Sequence, residues 1–247
     1  MNISIITVAL NSAGTIEDTI KSVLGQTYPD IEYIVIDGSS TDGTLEIVRR
    51  YKDKIAKIVS EKDGGMYEAM NKGIKLATGD VVGILNSDDI YSSNEIIKNV
   101  VGEFEKSGAD CVWGDLVYVD KGDPNKIVRN WKSSVYQSGN FQKGWHPPHP
   151  TFFVRRSIYE KYGSFRTDLN TSADYELMLR FLERYRISSS YIPQVLVKMR
   201  NGGQGNRSYY NLIRANIGSY RAFKLNGLKV SPLFMIQKPL SKVGQFK

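Results

Sequence analysis

Two adjacent carboxylates, Asp88 and Asp89, follow the apolar run 80–85 and the residues Asn86 and Ser87, with no basic residue beside them. Paired acids at the end of a buried strand are costly to keep ionised unless a cation or a hydrogen-bonded ligand meets them. The local alternative is that Ser87, Asp88 or Asp89 simply starts the next helix as its N-cap. Three more acids stand in comparable places: Asp37 ends the apolar run 31–36, Asp63 follows 56–60, and Asp174 opens a helical pattern. Acids so placed can grip a ligand, offer hard oxygens to a divalent cation, or take a proton from a hydroxyl. Asp37 could equally cap the turn at Ser39 or Ser40, and Asp174 could be only an N-cap. Both histidines lie in the stiff segment His146-Pro147-Pro148-His149-Pro150, whose spacing matches no zinc pattern.

The elements that must position these groups follow from periodicity. Strands are expected over 2–8, 31–36, 56–60 and 80–85, with helices from about 15, from about 44 and over 66–77. Thr15 and Asp18 have capping-box spacing, and Ile16, Ile20, Val23 and Leu24 share one helical face. Strand and helix thus alternate four times, the pattern of a parallel sheet with crossover helices. Polar clusters at 7–11, 37–42, 63–65 and 86–89 all fall at strand ends, and in a doubly wound sheet they converge on one edge, where a nucleotide would lie. Neither a dinucleotide G-x-G-x-x-G after the first strand nor a P-loop is present.

Further on, a helix is expected over 94–106, a buried strand over 111–119, and a turn at 121–124 leading into Ile127-Val128-Arg129. The aperiodic stretch 131–145 reads as a long loop of the kind that forms lids or binding loops. Residues 171–174 are expected to cap the helix that Asp174 opens. Beyond Pro193 the character changes: 199–205 is glycine-rich and expected to be mobile. Tyr209, Ile213, Ile217, Tyr220 and Phe223 then recur at helical spacing, while Arg207, Arg214 and Arg221 recur every seven residues on another face.

The 247 residues suffice for one large α/β domain with an appendage, and no apolar run reaches the roughly 18 residues that span a bilayer. The single cysteine, Cys111, excludes an internal disulfide or a cysteine-cluster metal site. The segment Met1–Ile6 lacks a basic n-region and a small-residue cleavage site, so the expected compartment is the cytoplasm. The net charge of +7 is unevenly spread: no Asp or Glu follows Glu183, whereas twelve Lys and Arg do, leaving about −5 on the first 183 residues. A basic tail on an acidic body suits an anionic partner, namely phospholipid headgroups, a diphosphate or nucleic acid. No nucleic-acid-binding motif accompanies it, so nucleic acid is not expected.

Taken in order, the segments Ile5-Ile6-Thr7-Val8-Ala9-Leu10-Asn11 and Asp37-Gly38-Ser39-Ser40-Thr41-Asp42-Gly43-Thr44 begin a recognisable series. It continues with Ser60-Glu61-Lys62-Asp63-Gly64-Gly65-Met66-Tyr67-Glu68-Ala69-Met70-Asn71-Lys72-Gly73, Asn86-Ser87-Asp88-Asp89, Pro148-His149-Pro150-Thr151-Phe152-Phe153 and Ala173-Asp174-Tyr175-Glu176-Leu177. The series resembles family 2 glycosyltransferases of the bacterial type that build capsule, O-antigen or exopolysaccharide, over roughly residues 1–205. The departures are Leu10, where an aromatic residue is common, and Met70, where Arg often precedes the Asn.

The resemblance implies an α/β GT-A fold with a Rossmann-like mixed sheet: a nucleotide-binding half over 1–90, an acceptor-binding half over 91–205, and a basic helical tail over 206–247. It implies inverting transfer from a nucleotide-sugar, by default a UDP-sugar, with Mn2+ or Mg2+. Thr7, Val8, Ala9 and Asn11 would line the base and ribose pocket with Asp37, Gly38, Asp63, Asn86 and Ser87. Asp88 would contact the ribose or a metal-bound water, Asp89 would ligate the metal, and Asp174 would be the general base. His149 would lie near the acceptor or the diphosphate, and His146 would be structural. The implied acceptor is a saccharide or lipid-linked oligosaccharide at the inner face of the membrane. The tail, which the resemblance does not cover, is expected either to pack on the body or to meet that membrane surface, and a homodimer is a further expectation. The alternative function is a catalytically silent nucleotide-sugar-binding subunit that supports a partner transferase.

Overall fold

The computed structural model describes residues 1–202 and 209–240. Four strands, β1 (Ile3–Ala9), β2 (Ile31–Asp37), β3 (Lys57–Ser60) and β4 (Val81–Ile84), run parallel in the order β3-β2-β1-β4. Helices α1 (Ile16–Leu24), α2 (Thr44–Arg49) and α3 (Met66–Leu76) connect them. Every residue of β1 and β4 is buried, which is why these strands read as continuous apolar runs rather than alternating ones. Tyr67, Met70 and Ile74 of α3 cover one face of the sheet, and Ile16, Ile20 and Val23 of α1 cover the other. Gly73 permits the close approach of α3, because a Cβ there would stand 2.4 Å from Cγ2 of Ile6.

The second half extends the same sheet through β5 (Ile90–Tyr91), β6 (Cys111–Val119), β7 (Ile127–Trp131), β8 (Phe153–Arg155) and β9 (Ser189–Arg200). The order continues β4-β8-β6-β9-β5, with β7 on β6. β8 runs antiparallel between β4 and β6, so Val154 faces Val82 on one side and Cys111 on the other. β6 and β9 are parallel, with two register shifts around Asp115. α4 (Ile96–Ser107), α5 (Arg156–Tyr162) and α6 (Ala173–Leu179) complete this half.

Several expectations are corrected here. The Thr15/Asp18 capping box does not form: the Thr15 hydroxyl bonds the Ser12 carbonyl at 3.4 Å, and Asp18 pairs with Arg200 instead. Residues 171–174 make no side-chain cap on α6, because the Ser172 hydroxyl donates to the Ala215 carbonyl at 3.0 Å. The chain does not loosen at Pro193, since β9 runs through it, and Met199 and Arg200 are strand residues paired with Tyr118 and Val119. Gly203, Gln204, Gly205 and Arg207 lie outside the described residues. The loop over 131–145 is pinned rather than free: Phe141 is fully buried, the Gly139 amide donates to Glu183 at 2.9 Å, and the Tyr136 hydroxyl donates to the same carboxylate.

Two helices follow, α7 (Tyr209–Leu225) and α8 (Phe234–Leu240). α7 packs on residues 167–172 and on α6, and α8 packs on α7 and residues 140–143. Phe223 and Phe234 are wholly buried, 5.2 Å apart between ring centres, and both approach Tyr175 of α6. Gly218 lies so close to the body that a Cβ would meet Ser172 Oγ at 2.4 Å. The expected apolar stripe therefore splits: Phe223 is core, Tyr220 half-buried, and Ile217 46% exposed. The side chains of Tyr209 and Ile213 lie outside what is described.

Candidate active site

The carboxyl ends of β1, β2 and β3 are laced together by side chains that recur in the turn motifs. The Gly38 amide donates to the Ala9 carbonyl at 2.8 Å, the Asn11 amide to Ser40 Oγ at 2.8 Å, and the Thr41 amide to Asn11 Oδ1 at 2.9 Å. Asn11 and Ser39 take left-handed backbone angles, φ +49° and +63°, to make this turn. Asp37 is fully buried and accepts from the Ser40 amide at 3.1 Å, the Ser40 hydroxyl, and the Ser60 hydroxyl at 2.7 Å. Its turn-capping role is thus realised, and most of its acceptor capacity is used within the chain. Thr7 and Val8 do not reach the edge. Both faces of β1 are covered, Val8 is core, and the Thr7 hydroxyl accepts from Tyr33 at 3.1 Å inside the sheet.

Asp63 is different. One oxygen pairs with Lys72, while Oδ2 is buried without a hydrogen-bond partner. A Cβ on Gly38 would stand 3.4 Å from this Oδ2 and 3.4 Å from Leu10 Cδ1, so the missing side chain leaves a gap about one methyl group wide between Asp63 and Leu10. Leu10 is 55% exposed at its rim, where a planar ligand could lie against it.

The acid pair sits on a turn beyond β4, closed by the Asp89 amide donating to the Asn86 carbonyl at 3.1 Å. The N-cap alternative fails, because β5 follows at once and α4 starts only at Ile96. Asn86 Nδ2 donates to Asp89 Oδ2 at 3.1 Å, whereas Asp89 Oδ1 and Asn86 Oδ1 are buried with no partner. The Ser87 hydroxyl donates to Ser12 Oγ at 2.8 Å, tying this turn to the β1 loop. Asp89 is fully buried and Asp88 partly so. Burial and then the charge of Asp88 push the Asp89 carboxyl well above its usual range, and burial raises Asp88 against the pull of Arg200. Arg200, at the end of β9, donates to the Asp88 carbonyl at 3.2 Å and to Asp18 Oδ2 at 2.5 Å.

Across the sheet, Asp174 Oδ1 accepts from the Tyr175 amide at 2.8 Å and from the Tyr67 hydroxyl at 3.3 Å. Burial, followed by the Asp174 charge, raises the Tyr67 phenol well above its ordinary value, so it remains a donor. The His149 ring meets the Phe165 ring edge-on at 5.5 Å, and Phe165 in turn lies 5.4 Å from Tyr67. Burial holds the His149 imidazole below its ordinary value, with Asp174 acting in the opposite sense. Asn71 fixes Phe165 from α3, its Nδ2 donating to the Phe165 carbonyl and its Oδ1 accepting from the Phe165 amide, both at 2.9 Å. His146 is structural, wedged edge-on between Trp131 at 5.0 Å and Tyr175 at 5.4 Å.

Tyr118 feels both ends of the site: burial raises its phenol, Arg129, 4.6 Å from the ring centre, opposes that, and the charges of Asp89 and Asp174 add to the rise. The structure thus brings Asn11, Gly38, Asp63, Asn86, Ser87, Asp88, Asp89, His149 and Asp174 to the edge or its flank, and leaves Thr7 and Val8 inside. Sequence reasoning missed Tyr67, Tyr118, Arg129 and Arg200 as members of this region. Tyr67 alone carried a usable signal, since it stands four residues past Asp63 in a motif already singled out. Among the described residues no three His, Cys, Asp or Glu side chains gather as ligands. No helix among the described residues is long and apolar enough to cross a membrane.

Comparison with known proteins adds to this geometry. The family model described as "Glycosyl transferase family 2" matches residues 4–163. The chain is 33% identical over 138 residues to the putative teichuronic acid biosynthesis glycosyltransferase TuaG of Bacillus subtilis, covering 54% of this chain and 55% of that protein. Its fold is similar to that of S. aureus TarS residues 1–349 in complex with UDP-GlcNAc, with a TM-score of 0.68 and 18% identity over 92% of this chain and 70% of the other. It is similar also to the mannosyltransferase PcManGT from Pyrobaculum calidifontis in complex with GDP-Man and Mn2+, with a TM-score of 0.66 and 21% identity over 97% and 68%. The mixed sheet with flanking helices is thus of the GT-A type. By the family match over most of its length, the chain belongs to glycosyl transferase family 2.

Proposed function

We propose that the chain is an inverting, metal-dependent glycosyltransferase that moves a sugar from a nucleotide-sugar, by default a UDP-sugar, to a hydroxyl of a saccharide or lipid-linked acceptor in cell-surface polysaccharide biosynthesis. The observation that carries this reading is the pair of buried carboxylate oxygens without partners, Asp63 Oδ2 and Asp89 Oδ1, at the ends of strands of one sheet. Buried oxygens of this kind cost free energy until a donor or cation meets them. TuaG lends the polysaccharide context, and TarS with UDP-GlcNAc the default donor.

In this reading the base enters the slot between Leu10, Gly38 and Asp63, where Asp63 Oδ2 accepts a ring N–H, and Asp37 keeps the slot in shape. Asn11, Asn86 and Ser87 border the ribose, with Asp88 on the ribose or a metal-bound water. The hard oxygens of Asp89 and Asn86 fit Mn2+ or Mg2+, and the PcManGT complex with Mn2+ is consistent with that choice. The cation, when bound, would neutralise charge that develops on the leaving diphosphate.

On the other side Asp174 takes the proton of the acceptor hydroxyl as its oxygen bonds the anomeric carbon and the bond to the diphosphate breaks. Attack from the face opposite the leaving group inverts the configuration, and one base suffices; it contributes about 10²–10⁴-fold. Tyr67 directs Asp174, and neutral His149 borders the acceptor or the diphosphate. Thermal-shift measurements with UDP, GDP, CMP and dTDP, each with and without Mn2+, test the donor side. One nucleotide should raise Tm only with Mn2+, and Asp89→Ala should abolish the effect. No shift with any of them would favour the silent-subunit alternative.

A further inference from the structure

We propose that the exposed face of α7, together with α8, is a docking surface for an anionic phospholipid bilayer. On a helix of 3.6 residues per turn, Arg214, Ile217, Arg221, Lys224 and Leu225 fall within one arc of about 100°. All five are exposed, Ile217 by 46% and Leu225 by 40%. The opposite face carries Gly218, Ser219, Ala222, Phe223 and Asn226, all buried against the body or α8. The helix is therefore already docked by its small and aromatic side, and a second, basic and apolar side faces outward. Leu233, in the turn before α8, and Ile236 within it are also exposed, by 59% and 61%, and Lys229 is exposed in the link between the helices.

Charge complementarity selects the occupant. No acid follows Glu183, and Asp168, whose charge also acts on Arg221, is paired with Arg166 at 3.0 Å. Nucleic acid would meet the basic groups but would leave Ile217 and Leu225 in water. A bilayer takes both at once, the basic groups at the headgroups and the aliphatic ones at the acyl boundary. The placement has a geometric consequence: Gly218 of α7 touches Ser172, two residues before Asp174. A membrane held on the outer side of α7 would thus lie one helix thickness from the acceptor flank of the site.

Co-sedimentation of the full chain with vesicles tests the inference. Phosphatidylcholine vesicles containing phosphatidylglycerol should retain the chain at 0.05 M salt and release it at 0.5 M, and phosphatidylcholine alone should retain it at least tenfold less. Arg221→Glu with Lys224→Glu should weaken retention by more than the roughly fivefold per lost basic residue that headgroup attraction supplies. Ile217→Ser with Leu225→Ser should weaken it by about tenfold with the charge unchanged. All four positions are exposed, so melting curves should match the parent. Absence of retention on anionic vesicles would overturn the inference, a result that needs no variant. So would retention indifferent to the Ile217/Leu225 exchange together with complete displacement by a DNA duplex, which would assign the stripe to nucleic acid.

Discussion

The phenolic hydroxyl of Tyr67 donates to Oδ1 of Asp174 at 3.3 Å, across 107 residues of sequence. Tyr67 stands in the first turn of α3, immediately after the Asp63-Gly64-Gly65 loop proposed to hold the base, and Asp174 stands in the first turn of α6. The contact links the proposed donor side of the site to the proposed acceptor side. Tyr67→Phe keeps the ring against Phe165 and removes only the donor, so turnover should fall about 5- to 20-fold with donor KM unchanged. Steady-state kinetics check this, and an unchanged kcat would show that Asp174 is oriented by other means.

Asn71→Ala removes both hydrogen bonds that hold the Phe165 backbone and leaves its amide and carbonyl without these partners. Urea unfolding should show a loss of about 2–3 kcal/mol. Turnover should fall as well, because Phe165 is the surface on which His149 and Tyr67 rest.

Glu32 gives a pH signature away from the site. Burial raises its carboxyl, but hydrogen bonds from Lys57, Ser4 and the Thr78 amide outweigh that and bring it down to about 2 from an ordinary 4.5. A depressed carboxylate contributes stability above the unfolded value, and that contribution is lost as pH falls through the folded one. Glu32→Gln should therefore cost about 1–3 kcal/mol at pH 7, and the gap to the parent should close between pH 4.5 and about 2. Denaturant melts across that window measure it.

Gly218 reports on how firmly α7 is seated. Any Cβ there meets Ser172 Oγ at 2.4 Å, so Gly218→Val must push the helix away from residues 167–172. A loss of about 1–3 kcal/mol is expected from overpacking. Because Asp174 follows two residues later, transfer should weaken more than donor binding.

The parallel half of the sheet was legible because β1 and β4 are buried throughout and β2 over its last five residues, so that they read as largely apolar runs ending in polar turns. The strands β5 and β8, of two and three residues, are too short to show any period, and only tertiary pairing makes them strands. β9 was hidden by Pro193, which β9 accommodates where the register with β6 shifts beside it. The acids of the site were legible because each ends a strand or opens a helix. Arg200 and Tyr118 were not, since their link to Asp88, Asp89 and Asp174 depends on β9, β6 and the acid turn meeting in space. Asp37 illustrates a limit of another kind, as its residue type suited ligand contact and turn capping equally, and the hydrogen bonds to Ser40 and Ser60 realise the second.

The general-base role of Asp174 is tested most directly by hydrolysis of the nucleotide-sugar in the presence of Mn2+, comparing the parent chain with Asp174→Asn, where water stands in for the acceptor hydroxyl. With Asp174 as the base, kcat should fall at least about 100-fold in Asp174→Asn with the donor-induced Tm shift intact. Hydrolysis within a few-fold of the parent, at unchanged donor affinity, would contradict it.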